Sequence, residues 1–340
     1  MNAMSMTFGS PLRSLAVLAV GLGLAVSALA QANVPELKMR ATSSYPQDQP
    51  VGKAMDFFAK RVAELSKGKM SVQVFHQGKL YTEDKSVQAV LDGTVDMGMA
   101  SASNHGPFTK AWIPVEAPYL LDKKQFRAVV LRGEARKDLE AQSVKDGLKP
   151  LIIWETGGHR LMGGTKPVKV PADLNGAKIR AAQSPVILAF YRALGANPVA
   201  VPWGETYLAL ASKTVDGLDA NMASWPLGKL GEVAKHVTTI NWAPTSTVSD
   251  VSVKWWNART DAQKAILEQA AKEAEDLAMK LEDENDKALR AQLKNDGVTV
   301  YDPTPAEMAE WRKVGESIWA SMPGDQALIA KMKAAAQSVK

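Results

Sequence analysis

The chain of 340 residues has no cysteine. That rules out disulfides, cysteine nucleophiles, Fe–S clusters and cysteine-ligated zinc. It also excludes a lipoprotein anchor after the apolar N-terminal stretch. Beyond that stretch there is no second long apolar run, so no transmembrane helix is expected in the mature chain. The enzyme motifs are missing too: no H-E-x-x-H, no G-x-S-x-G, no P-loop, and no G-x-G-x-x-G after a strand. The four histidines, His76, His105, His159 and His236, lie far apart without metal-ligand spacing. Carboxylates fall mainly on helix faces, and no pair stands out as an acid and a base. Neither a metal nor a cofactor is expected, and no catalysis. The formal charge of +5 includes Arg13, and charges of both signs are interspersed, as in "KLEDENDKALRAQLK". Without a basic stripe, nucleic acid is not an expected partner.

What is present begins with a leader. Arg13, the apolar "SLAVLAVGLGLAV" and the small residues Ala28 to Ala30 form a signal-peptide pattern over residues 1–30, with cleavage expected near Ala30 to Ala32. The expected product is an exported, periplasmic and monomeric protein. Roughly 310 residues then remain, which suits two lobes better than one core.

Strand and helix patterns alternate through the rest. "ELKMRATS" and "MSVQVF" read as strands around a helix from Val51, whose apolar positions Met55, Phe58, Val62 and Leu65 fall at helical spacing. Thr82 opens a second helix and "VDMGMA" a short strand. "FRAVVLRGEARKDLEAQSV" reads as one helix and "KPLIIW" as a buried strand ending in a glycine-rich turn. "PVILAFYRAL" and "GETYLALAS" follow as helices, and "NPVAV", "VDGLDA" and "DVSVKWW" as strands. Thr260 to Leu293 is one helical pattern without Pro or Gly, long enough to brace two lobes. Thr304 caps a further helix. This alternation predicts α/β layers over mostly parallel sheets.

Two segments echo each other. "AVLDGTVDMGMAS" (Ala89 to Ser101) and "ALASKTVDGLDAN" (Ala209 to Asn221) share a helix end, a turn, Thr-Val-Asp and a short strand. They read as equivalent units of two similar lobes, with Ser101 and Asn221 meeting across a cleft.

The recognition chemistry gathers near that cleft. Arg160 follows the glycines of "WETGGHRLMGG", and Arg180 ends the short strand of "DLNGAKIRAAQSP". A guanidinium fork at a strand end among small residues suits a carboxylate. Gln183 and Ser184, before Pro185 at a helix start, offer further donors. Trp203 supplies an aromatic wall for an organic acid with an apolar body.

Several blocks together carry a family resemblance: "FFAKRVAELSKGKMSVQVFHQGKLYTEDKSVQAVLDGTVDM", "PVKVPADLNGAKIR", "LGANPVAVPWGETYLAL" and "TVDGLD". Over nearly the whole mature chain the sequence resembles a DctP-type solute-binding protein of a TRAP transporter. The resemblance implies a two-lobed α/β periplasmic binding fold with hinge strands and a long helix spanning both lobes. The lobes it implies are 33–157 with 246–285, and 158–245 with 286–340. It implies capture of a small carboxylate for delivery to the small and large permease subunits; the lack of a clear second cationic site in the sequence favours a hydroxy- or other monocarboxylate. On it, Arg180 matches the carboxylate clamp and Arg160 the assisting arginine. Trp203, Ser44, Ser101 and Glu83 fall on ligand-facing positions. After "TVDG" the family often has Glu-Asn or Glu-aromatic, whereas this chain has Asp219-Ala220-Asn221. Ala220 cannot make the usual polar or aromatic interaction, which leaves Asn221 as its candidate substitute. Two other readings are an exported α/β enzyme acting on an organic acid and a ligand receptor for a sensor kinase.

Overall fold

The computed structural model describes residues 34–339; the expected leader and its cleavage site lie outside them. Ten strands form the sheets: β1 (Leu37–Thr42), β2 (Met70–Phe75), β3 (Met97–Ser101), β4 (Leu148–Gly164), β5 (Lys178–Ala181), β6 (Asn197–Ala200), β7 (Gly217–Asn221), β8 (His236–Thr238), β9 (Pro244–Ser252) and β10 (Thr299–Tyr301). The main path runs β2-β1-β3-β9-β4-β7-β5-β6, with β8 on β4 and β10 on β8. Its two halves mirror each other. In each, two parallel pairings lead inward to an antiparallel one, β3 with β9 and β7 with β4. The sheets are therefore mixed rather than mostly parallel, because β9 and β4 each cross over to complete the other lobe.

The 17-residue β4 makes this crossing possible. Its first part pairs with β9, and its last residues pair with β7 and β8. The sequence pattern suggests a strand that stops at a glycine turn, but Gly157 and Gly158 instead form an irregularity within a continuing strand. Both have positive φ, +61° and +80°, which glycine adopts without a Cβ penalty. A Cβ on Gly157 would lie 2.7 Å from the Asn221 side chain.

The Thr-Val-Asp echo has a physical basis. Asp96 Oδ2 accepts the Arg40 amide at 2.7 Å, and Asp216 Oδ2 accepts the Lys178 amide at 2.9 Å. Each aspartate thus anchors its strand to the parallel neighbour. In both turns the valine amide donates to an alanine carbonyl, Val95 to Ala89 and Val215 to Ala209.

The longer helices are α1 (Pro50–Leu65), α2 (Glu83–Leu91), α3 (Ala135–Lys145), α4 (Pro185–Ala193), α5 (Thr206–Ala211), α6 (Asp261–Asn295), α7 (Pro305–Ser317) and α8 (Gln326–Gln337). None is long and apolar enough to cross a membrane, among the described residues. Helix α6 starts in a capping box: Gln263 N donates to Thr260 Oγ1 and Thr260 N to Gln263 Oε1. Its Leu267, Ala271, Ala274 and Ala278 pack in the core of the first lobe with α1 and β1. Leu293 packs in the second with Leu218 and Trp225. One rod of roughly 50 Å therefore spans both lobes. Trp112, Phe126 and Leu139 share a further core with α4, α7 and α8.

Two other elements differ from expectation. The helix read over "FRAVVLRGEARKDLEAQSV" is broken into Lys123–Phe126, a wide turn at Arg127–Leu131, and α3. At the break a Cβ on Gly133 would meet the Ala128 and Val129 carbonyl oxygens at 2.5 Å. The broken geometry lets Arg127 and Arg132 reach carboxylates on α6. The strand read at "DVSVKWW" begins earlier, at Pro244, and its end turns into the helix Val253–Asn257, where Ser252 Oγ accepts the Trp255 amide.

Glu275 ties α6 to this frame. It accepts the Ile153 amide at 2.9 Å with one oxygen, and Arg132 and Arg136 at 2.9 Å each with the other. Removing one partner from a buried network leaves the others uncompensated. Glu275→Ala is expected to destabilise the protein by about 3–5 kcal/mol and Glu275→Gln by less, because the amide retains the Ile153 bond. Denaturant unfolding of both variants gives the comparison; equal, small losses would contradict it.

Candidate functional site: an inter-lobe cavity

The mirrored strand order brings the ends of β3 and β7 to one place, and a cavity of about 100 Å³ opens there. Ser44, Glu83 and Ser101 line it from the first lobe, and Arg160, Arg180, Trp203 and Asn221 from the second lobe and the crossing strand. Seven of the eight residues singled out from the sequence thus meet. The eighth, Gln183, lines an adjoining cavity that shares Ser44, Glu83 and Trp203.

Arg180 projects from β5, whose Ile179 and Ala181 enter the core on the opposite face. It is only 6 % exposed. Its Nε donates to the Val201 carbonyl at 3.0 Å and its Nη1 to the Asp219 carbonyl at 3.5 Å. Trp203 lies under the guanidinium at 5.5 Å. Among the described residues it forms no salt bridge with a carboxylate. Burial pushes its pKa down to about 10, while Asp219 and Glu83 oppose that shift and Arg160 adds to it.

Arg160 is about as buried but is paired with carboxylates. Nη1 donates to Asp219 Oδ1 and Nη2 to Ser103 Oγ, with Glu116 at 3.6 Å. Burial alone would lower its pKa, yet the Asp219 and Glu116 carboxylates hold it above the usual value. Asp219 completes its own shell with Trp242 Nε1 at 2.8 Å and the Tyr191 hydroxyl at 3.1 Å. The departure at Asp219-Ala220-Asn221 therefore supplies the counter-charge of the second arginine.

Three other predicted residues, Glu83, Asn221 and Ser184, are held by internal bonds. Glu83 Oε1 accepts the Ser101 amide at 2.6 Å, fixing the end of β3. Asn221 donates to the Thr156 carbonyl at 3.1 Å and accepts from Ser224, so it ties β7 to β4. Ser184 caps α4 and donates to Glu116 at 2.6 Å, which commits it to the scaffold.

Sequence reading missed Tyr45, Thr245, Glu282 and Asn285, which also line the cavity. A signal existed for the last two. The inner stripe of α6 runs Leu267, Ala271, Ala274, Ala278, Glu282, Asn285, Leu289 and Leu293, so polar residues occupy core spacing. Glu282 is 3 % exposed. Burial raises its pKa to about 8; the Gly157 amide opposes the shift, Asp286 and Glu155 add to it, and Lys123 opposes it. Burial also pushes Tyr45 up to about 12, aided by Glu83.

The DctP family model, described as bacterial extracellular solute-binding protein, family 7, matches residues 41–325. The chain belongs to the DctP family. The C4-dicarboxylate-binding periplasmic protein DctP of Rhodobacter capsulatus is 30% identical over 299 residues, 87% of this chain and 88% of that protein. A TRAP periplasmic solute-binding protein from Sulfurospirillum deleyianum, solved with succinate, superposes with a TM-score of 0.81 at 29% identity, covering 90% of this chain and 100% of that one. The sugar-acid-binding DctP protein of Advenella mimigardefordensis, solved with galactonate, gives 0.84 at 26% identity, covering 91% and 100%. This DctP-family chain shares their two-lobed α/β fold.

The raised Glu282 sets a pH dependence. Its folded pKa lies above the unfolded value, so the native state holds a proton that the unfolded chain releases above about pH 4.5. Stability is expected to fall as pH rises from there to about 8, by a few kcal/mol in all from this residue. Glu282→Gln is expected to remove that part of the decline in unfolding curves taken from acid to mildly alkaline pH. An unchanged decline would assign it to other groups.

Proposed function

We propose that this protein captures a small organic acid in the periplasm and hands it to the membrane permease of a TRAP-type transporter, without transforming it. The observation that carries this reading is the Arg180 guanidinium, buried at the cavity and without a salt-bridged carboxylate among the described residues. Such a charge costs stability until an anion neutralises it, and a carboxylate fits its planar fork. Arg160, Trp203, Ser44, Ser101, Asn221, Glu83 and Gln183 shape the surroundings. Charge counting favours one carboxylate on the ligand. Asp219 and Glu116 already offset Arg160, which leaves Arg180 as the one guanidinium not salt-bridged among the described cavity residues. The two lobes close over the bound acid as a monomer, and exclusion of water strengthens the ion pair.

Arg180→Ala is expected to preserve the circular-dichroism spectrum and to weaken binding of short carboxylates by about 2–5 kcal/mol, as measured by calorimetry. Micromolar binding surviving this change would overturn the reading. Arg180→Met is expected to raise the stability of the ligand-free protein, because a desolvated charge is removed and its apolar stem kept.

A further inference from the structure

Nine buried side-chain polar atoms lack a hydrogen-bond partner among the described residues. Four of them, Arg160 Nε, Thr245 Oγ1, Glu282 Oε2 and Asn285 Nδ2, belong to residues that line the inter-lobe cavity. Buried polar groups are normally paired, so their concentration at one cavity points to a ligand. Three of these residues come from the hinge side: Thr245 from β9, and Glu282 and Asn285 one turn apart on α6. They form a group separate from the Arg180 fork on β5.

We propose that Thr245, Glu282 and Asn285 form a polar subsite for a hydroxyl at the end of the ligand remote from its carboxylate, which makes a short hydroxylated monocarboxylate the preferred ligand. The proposal rests on the Arg180 reading above. A hydroxyl both donates and accepts, matching a threonine hydroxyl, a carboxyl and an amide N–H. A second carboxylate lacks a counter-charge there. Lys123, the cation that acts on Glu282, already pairs with Glu155, Asp283 and Asp286. Tyr45 faces Glu282 from the first-lobe loop, Glu155 from β4, and Asp286 from α6 itself. The cavity, about 100 Å³, compares with the ~150 Å³ void that takes benzene, which favours a short acid over a hexose-sized one. Glu282 keeps its proton at neutral pH, so it donates to the ligand and places no second negative charge in the cavity.

The test is calorimetric titration with three four-carbon acids: D-erythronate, butanoate and succinate. Erythronate is expected to bind at least about tenfold tighter than either of the others. Thr245→Val and Glu282→Leu are expected to lower erythronate affinity and so bring the erythronate-to-butanoate ratio toward one. For the wild type, affinity is expected to fall between about pH 7 and about pH 9.5, as Glu282 ionises beside an anion. Glu282→Gln is expected to keep the preference and abolish that fall, a readout that does not depend on how well Glu282→Leu folds. Succinate binding as tightly as erythronate, or a ratio unmoved by the variants, overturns the subsite while Arg180-dependent binding leaves the clamp standing. No binding of any of the three acids overturns both.

Discussion

A guanidinium kept out of water without a carboxylate partner is the constraint around which this molecule is arranged. Arg180 has two carbonyl oxygens and an indole face, which satisfy its geometry without cancelling its charge. Placing a second arginine nearby would be more costly still, since like charges repel at low dielectric. Asp219 resolves this conflict by giving its carboxylate to Arg160, Trp242 and Tyr191 and only its backbone carbonyl to Arg180. The two arginines, adjacent in space, therefore differ in kind: among the described residues one is paired with carboxylates and the other is not.

The crossing strands explain how such a site can be both rigid within each lobe and assembled between them. Because β4 and β9 each complete the opposite sheet, the residues lining the cavity come from strand ends that point toward one another. Helix α6 braces the arrangement, with its apolar stripe in both cores and a belt of ion pairs from Arg127, Arg132 and Lys123 along its flank. The exposed members of that belt contribute little each. The buried Glu155 and Glu275 within it fix where the helix sits against β4.

Local patterns in the sequence were legible where one element decides its own conformation. Thr260 to Leu293 reads as helix because no residue in it breaks one, and the Thr-Val-Asp echo reads as a repeated turn because each aspartate bonds the amide of the neighbouring parallel strand. What was not legible depends on distant partners. The glycines after "WET" look like a turn until β9 pairs beyond them. "VKWW" looks like a strand until Ser252 caps it as a helix. The resemblance ranks Arg180 above Arg160, but the pairing of Arg160 with Asp219 and Glu116, which sets their charges apart, depends on distant partners. Glu282 and Asn285 were visible as polar residues on an apolar stripe, but their meaning required the cavity.

These features point in one thermodynamic direction. An apolar residue at Thr245 or Glu282 would leave fewer buried polar groups unsatisfied, and one at Arg180 would remove a buried charge; protein cores generally make such choices. The ligand-free molecule thus carries several unfavourable terms concentrated at one small cavity between two lobes. On the binding reading proposed above, each would be relieved by the same event, entry of an acid whose carboxylate meets Arg180 and whose remaining polar groups meet the hinge side. On that reading, stability withheld by these groups becomes affinity on binding. On the same reading the relief would require groups from both lobes and from α6, so the ligand would select a closed arrangement by the interactions available only there.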